Sequence, residues 1–444
     1  MRRRSCPRER KRQSPQGGRF SHLTQTYHVG LVGIQRTRLP DGKAAVYTAT
    51  NHVLEPLLTS TSPLGSKPLD KEWKFLCACA SPLPLSAEAL TSLMASLDWD
   101  LVLELAEGHR VLGVMAARLK ETAFTGVPAA AREKLQSRMR AQHLFSLSMT
   151  AELFRILEQF ERAGIQSLLV KGPLVSVLAY GEPAVRSYVD LDLLVRHEDI
   201  LAASRIMTSL GFEADVPEAA ILAGKIPGEY LFGRAGTREI IELHTEKTFR
   251  YYPRPMRVVK LYASQRRVLL DGKEIPTLSL EDEFVLNCIH GAKHFWERLM
   301  WSADVAAIVV RHPEIDWQCT RRAAADVGAE RMLRVALLLS EALLGVPVPV
   351  EMSVSAHADR TASKLVRQIQ RWLPNAGYTP PALMERAIFR WKMGGGGYDG
   401  TAYLLRLSFS TTEDDWTDAT RPSGSRIWEM LRRPFRLMRK YGQN

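Results

Sequence analysis

From Leu168 to Val195 the sequence runs LLVKGPLVSVLAYGEPAVRSYVDLDLLV, and no other stretch restricts the fold of the chain as tightly. Residues 167–170 form a short apolar run that stops at Lys171-Gly172, as a strand does when it enters a turn. Pro173 follows, at the position where a helix tolerates a residue without an amide hydrogen. Leu174, Val177 and Leu178 then recur at helical spacing up to Tyr180-Gly181, and Glu182-Pro183 ends the helix. From about Tyr188 to Val195 the side chains alternate between faces, which puts Asp190 and Asp192 on one side and Leu191 and Leu193 on the other. The unit is therefore strand, turn, helix, strand, and its last strand has one acidic face and one apolar face.

Carboxylates two residues apart on a strand lie roughly 6 to 7 Å apart at their Cα atoms, close enough to hold two Mg²⁺ ions separated by about 4 Å. Magnesium takes oxygen ligands and leaves room for substrate phosphates. The amides at the start of the helix after Gly172, together with the Lys171 ammonium, favour phosphate oxygens on the same side of the sheet. Arg186, four residues before Asp190, can meet a phosphate or the carboxylates. An Asp-x-Asp pair alone is equally what a solvated strand edge carries. The ordered set Lys171-Gly172, Tyr180, Arg186, Asp190, Asp192, Leu193-Leu194-Val195, with a helix over about 198–210 stopped by Gly211, is harder to reach by chance.

This segment resembles the polymerase-beta-type nucleotidyltransferase superfamily, and in particular an uncharacterised bacterial nucleotidyltransferase family with K-G-x-x-L before R-x-x-x-D-x-D-L-L-V. It is also similar to the nucleotidyltransferase toxins of abortive-infection systems. Gly172-Pro173 stands where many members have Gly-Gly or Gly-Ser, which removes one amide donor from the turn. The resemblance implies an α+β fold, a small mixed sheet with helical N- and C-terminal regions. It implies transfer of a nucleoside monophosphate from an NTP, with two Mg²⁺ ions, or Mn²⁺ in their place, on Asp190 and Asp192. It implies a third carboxylate on a later strand. EIIELH over 239–244 is the place for it, with Glu242 as third ligand or as an ordinary strand acid; His244 is read as a nucleotide contact or as the close of that strand, with the second preferred. Lys171, Gly172 and Arg186 are then the nucleotide-binding residues. The acceptor is left open between a small molecule, RNA and protein. A toxin acting on tRNA and a non-catalytic scaffold of the same fold are the alternatives.

The stretch EDEFVLNCIHGAKHFWERLMWSADVAAIVV at 281–310 has a largely helical apolar pattern, and the family carries a similar arrangement of His, Arg and Asp there. His290 and His294 share a helix face and raise the question of zinc, but only Glu297 is near as a further ligand, so a hydrogen-bonded or site-lining role is expected. Lys293, Arg298 and Asp304 are read as substrate-orienting groups or helix ion pairs.

The net charge of +12 invites a nucleic-acid reading, but residues 1–20 carry +7 and residues 421–444 carry +6, leaving a nearly neutral body. The division expected is a basic tail over 1–70, a helical region over 71–164, a catalytic core over 165–250, a helical region over 251–350 and a C-terminal region over 351–444. Disorder is expected for the tail, which lacks the apolar segment of a secretory signal. A packed terminal helix with a basic outer face is expected around Trp428, Leu431, Phe435 and Met438. Gly394–Gly397 lacks the Lys and Ser/Thr of a phosphate-binding loop and reads as a connection. Cys6, Cys77, Cys79, Cys288 and Cys319 form no metal or disulfide framework, which with the lack of a membrane-spanning apolar run points to a cytoplasmic protein.

Overall fold

The computed structural model describes residues 36–37, 46–47, 70–222, 228–245, 254, 256–374, 383–395 and 397–409. The first four of these residues form a small antiparallel ribbon, 36–37 with 46–47. The rest of the expected N-terminal tail and the whole basic segment after residue 409 lie outside the described residues.

Five helices lead in: α1 (Asp70–Ala80), α2 (Ala87–Met94), α3 (Trp99–Gly108), α4 (Leu112–Glu121) and the long α5 (Ala129–Arg162). Ser86 and Asp98 cap α2 and α3 by accepting from the amides of Ala89 and Leu101. Cys77 and Cys79 pack within α1, and burial pushes both thiols up to about 12, so neither is a reactive thiolate.

The sheet then begins with β1 (Ser167–Val170), followed by α6 (Gly172–Tyr180) and β2 (Asp190–Val195). Next come α7 (Ile200–Ser209), β3 (Glu213–Ala214), α8 (Glu218–Leu222), β4 (Glu229–Gly233) and β5 (Ile240–His244). After α9 (Val258–Ala263), the hairpin β6 (Arg266–Leu270) and β7 (Lys273–Thr277) completes a seven-stranded mixed sheet in the order β3-β4-β5-β2-β1-β7-β6. The mixed sheet with helical regions before and after it is the α+β architecture expected. Leu191, Leu193, Ile241 and Leu243 are fully buried on the face opposite the acids, so the apolar alternation fixes which side of β2 and β5 turns to the core.

One local reading of the sequence is corrected and another is refined. The stretch after residue 250 is not helical throughout, because β6 and β7 join the sheet through the parallel pairing of Leu169 with Thr277. The helical pattern of 281–310 is two helices, α10 (Leu280–Lys293) and α11 (Leu299–Arg311). Between them Phe295 and Trp296 both take positive φ, 57° and 54°, a conformation that bulky residues adopt only when packing enforces it. The Trp296 ring is fully buried, and a Cβ on Gly291 would meet it at 2.7 Å, so the chain reverses over a glycine that leaves room for the indole.

The remaining helices are α12 (Trp317–Asp326), α13 (Glu330–Leu344), α14 (Val350–Ala358), α15 (Arg360–Trp372), α16 (Leu383–Met393) and α17 (Gly397–Phe409). Gly345, at φ 71°, ends α13 in the left-handed conformation that glycine adopts readily. Among the described residues no helix is long and apolar enough to cross a membrane.

His109 ties the helical lead-in to the region after the sheet. Its carbonyl accepts from the Met300 amide at 3.2 Å, and its ring Nδ1 accepts from the Leu299 amide at 3.3 Å, so two otherwise orphaned amides of α11 are satisfied by one residue. The ring is buried, and burial, reinforced by the Arg298 charge, pushes its pKa down to about 4. An unfolded histidine titrates near 6.5, so the unfolded chain takes up a proton first as pH falls. The contribution of this ring to stability is therefore complete above about pH 6.5 and is lost down to about pH 4, amounting to about 3 kcal/mol. Urea unfolding at pH 7 and pH 4.5 checks this. Wild type should lose roughly 2 kcal/mol more across that interval than His109→Asn, whose amide oxygen can accept from Leu299 without titrating; equal losses would contradict the assignment.

Candidate active site

The acids come together through strand register. β2 and β5 run parallel with Asp192 paired to Glu242 and Leu194 to His244, while β1 runs antiparallel to β2 with Val170 opposite Asp192. Asp190, Asp192, Glu242 and His244 thus share one face of the sheet, and Lys171 leaves the end of β1 beside them. Lys171 Nζ lies 2.6 Å from Asp192 Oδ1. His244 Nε2 lies 2.7 Å from Asp192 Oδ1 and 3.2 Å from Glu242 Oε2. The histidine read as a nucleotide contact or a strand end is within hydrogen-bond distance of two of the carboxylates.

Crowding of like charge is the main electrostatic fact of this face. Burial, then the charges of Asp192 and Glu242, push Asp190 up to about 6 against the opposing pull of Lys171 and Arg110. For Lys171 burial disfavours the charge, but Asp192, Glu242 and Asp190 outweigh it and hold the ammonium well above its usual range. Asp192 is buried, whereas Asp190 and Glu242 are half-buried and open toward solvent. Among the described residues, Asp192, Glu242 and His244 form the one cluster of three or more side chains whose ligand atoms lie within 4.8 Å of one another.

The turn is held from behind. Lys171 and Gly172 both have positive φ, 53° and 46°, and a Cβ on Gly172 would sit 3.3 Å from the Asp190 carbonyl oxygen, so this residue backs directly onto the acidic strand. The Lys171 amide donates to Glu283 Oε1 at 3.1 Å, a fully buried carboxylate of α10 that also accepts from Asn287 Nδ2 at 3.2 Å. The Leu174 amide donates to the Lys171 carbonyl. Both amides have partners inside the protein, which narrows the expected amide grip on phosphate to Gly172.

Arg186 lies at a different point from the other predicted residues. It is buried, its Nε donates to Asp304 Oδ2 at 2.7 Å, and Tyr180 Oη donates to Asp304 Oδ1 at 2.9 Å. Burial opposes the guanidinium charge, and Asp304 outweighs it. The same loop is anchored by Ser176, whose hydroxyl donates to the Glu182 carbonyl and accepts from the Arg186 amide at 3.0 Å. Gln142 Nε2 adds a donor to the Ala184 carbonyl at 2.8 Å. These contacts fix the entry to β2, and through it the position of Asp190.

His290 and His294 have ring centroids 4.7 Å apart, and His294 stacks on Trp301 at 5.2 Å. Burial first, then Lys171 for His290 and Lys293 for His294, hold both well below the usual imidazole range, so they are neutral. They do not belong to the metal-capable cluster and are placed as polar aromatic groups near Lys171. Arg110, half-buried and close enough to act on Asp190, and Arg298, half-buried beside Arg110, complete the surroundings. Arg110 carried no signal in the sequence, since it follows α3 far upstream and reaches the site only through the bonds of His109 to α11.

With this geometry established, comparison places the protein among enzymes that transfer phosphorus-containing groups. The model of a family described as uncharacterised nucleotidyltransferase matches residues 95–345, more than half of the chain, and the chain belongs to that family. A search of curated proteins returned no match. Among solved structures, the lincomycin-bound crystal structure of the lincosamide antibiotic adenylyltransferase LnuA is similar at 16% identity and a TM-score of 0.26, over 36% of this chain and 95% of that one.

The buried ion pair carries a prediction. Asp304→Ala leaves the Arg186 guanidinium buried without its partner and should lower stability by about 3 to 5 kcal/mol. Replacing both together, Arg186→Met with Asp304→Leu, should restore most of that loss in urea unfolding; a double variant as unstable as the single one would show that the pair is not what is being measured.

Proposed function

We propose that the chain transfers a nucleoside monophosphate from an NTP to a hydroxyl or phosphate oxygen of an acceptor, with divalent metal held by Asp190, Asp192 and Glu242. The observation that carries this reading is the pairing of Asp192 with Glu242 in adjacent strands, with Asp190 pushed up to about 6 on the same face. Three carboxylates concentrated around a single ammonium are costly to keep ionised, and a divalent cation removes that cost. The oxygen-rich donor set suits Mg²⁺ or Mn²⁺. When bound, such an ion supplies charge neutralisation for the reacting phosphate and acidifies the attacking oxygen.

The residues of the chain supply the rest. The acceptor oxygen forms a bond to the α-phosphorus, the bond from that phosphorus to the bridging oxygen breaks, and the electron pair leaves on pyrophosphate. The acceptor proton passes toward solvent by way of Glu242, whose side chain is 18% exposed. His244 holds Asp192 and Glu242 in a fixed relation. Lys171 neutralises Asp192 here, and its ammonium would be available to a phosphate oxygen if that carboxylate held a cation. Gly172 lets the turn approach the phosphates closely. Arg186 contributes by position, through its bond to Asp304 and the loop entering β2.

Phosphoryl-type transfer depends mainly on positioning and charge neutralisation, so loss of one carboxylate should remove turnover while the fold persists. With α-labelled NTPs and a cell extract as the source of acceptor, Asp190→Ala and Asp192→Asn should each lower transfer of label by about 10³-fold or more. EDTA should abolish it, and added Mg²⁺ or Mn²⁺ should restore it. Normal, metal-dependent transfer by Asp190→Ala would defeat the reading.

A further inference from the structure

Two arginines next to the acidic face have no role in the account so far. Arg298 is the residue before α11, and Arg110 follows His109, whose ring and carbonyl are hydrogen-bonded to the first two amides of that helix. The two guanidiniums are thus brought together by backbone contacts between segments almost two hundred residues apart. Both are half-buried. Among the described residues neither has a hydrogen bond or ion pair with a carboxylate. Arg110 also has positive φ, 55°, so it is held in a conformation a non-glycine residue rarely adopts.

Such an arrangement is unfavourable by itself. Burial, then the neighbouring Arg298, push Arg110 down to about 9, and burial likewise lowers Arg298. Glu297 acts on both, but burial raises its own pKa and it lies beyond ion-pair distance. Two guanidiniums without a carboxylate at ion-pair distance therefore stand beside the crowded acids, close enough for Arg110 to act on Asp190. A single small ligand meets both demands if it carries a metal ion on one side and bare phosphate oxygens on the other, which is the chemistry of a chelated polyphosphate.

We propose that Arg110 and Arg298 form the subsite for the β- and γ-phosphates of the NTP, and hold the pyrophosphate as it leaves. This rests on the proposed function and adds residues to the same site. The subsite lies beside Asp190, on which Arg110 acts, while the Lys171 ammonium stands at Asp192 on the same face. Planar guanidiniums suit adjacent phosphate oxygens better than an ammonium does. The charge that builds on the bridging oxygen as its bond to phosphorus breaks then falls within reach of both.

Calorimetric titration of the full chain with inorganic tripolyphosphate, with and without Mg²⁺, tests this independently of base, acceptor and turnover. Arg110→Gln and Arg298→Gln should each weaken binding of Mg²⁺-tripolyphosphate by about tenfold, while Arg367→Gln on the outer face of α15 should leave it within about twofold. Wild-type affinity in both Gln variants, or an equal loss in Arg367→Gln, would overturn the proposal. If a Gln variant lacks a cooperative unfolding transition, its Lys counterpart decides: charge without the fork should still bind several-fold more weakly, and unchanged affinity overturns the subsite. Losses of the same size in EDTA would mean that the arginines serve an anion unconnected with the metal, such as an acceptor's own phosphate, and would also overturn it. Tight binding of tripolyphosphate without any nucleotidyl transfer would defeat the proposed function and leave the subsite standing.

Discussion

The parallel pairing of β2 with β5 is the constraint from which the rest of the molecule follows. It sets Asp192 against Glu242 and brings His244 to within hydrogen-bond distance of both. The pairing cannot slip by one residue, because Leu191, Leu193, Ile241 and Leu243 would then move out of the core and the acids into it. The hydrophobic effect thus enforces an electrostatic arrangement that is unfavourable by itself. Buried leucines and isoleucines hold carboxylates closer together than their charges would choose.

Much of the fold around that pairing serves to keep the turn and the strand entry in place. Glu283 reaches from α10 to the Lys171 amide, and Asp304 reaches from α11 to Arg186. His109 binds the start of α11 to the helical lead-in. Each joins segments more than a hundred residues apart in sequence, so the helices before and after the sheet are parts of one framework around the acids. The left-handed residues Phe295 and Trp296 belong to the same framework, since the reversal they make separates α10 from α11 and brings Arg298 toward Arg110. Nucleotidyltransferase family membership accords with a framework built to fix charged groups before substrate arrives.

The turn, the acidic strand and Glu242 were legible in the sequence because two-residue alternation is a local signal, and each strand could be assigned its faces from its own residues. The strands β6 and β7 were within reach too. Asp271-Gly272, with φ of 45° and 82°, is a two-residue hairpin signal between short runs, hidden by the charges of Arg266, Arg267, Lys273 and Glu274. Other features had no local signature. His244 looks like a strand end until β2 is laid beside it, and Glu283 is one acid among three in the first turn of its helix. The split between α10 and α11 follows from a buried indole and a glycine five residues apart, which the helical apolar pattern conceals. Arg186 reads in the sequence as a cation for nucleotide, yet its Nε partner is a carboxylate more than a hundred residues later, and only packing could reveal that.

The central claim is that carboxylates crowded by strand register gather divalent cations beside a triphosphate. Anomalous scattering from crystals grown with Mn²⁺ and a non-hydrolysable NTP analogue measures this most directly. The account predicts Mn²⁺ peaks within coordination distance of Asp190 and Asp192, with Glu242 on the acceptor side and the Lys171 ammonium moved from Asp192 onto a phosphate oxygen. Well-ordered nucleotide with no metal at those carboxylates, or Lys171 still paired with Asp192 beside it, would contradict the account.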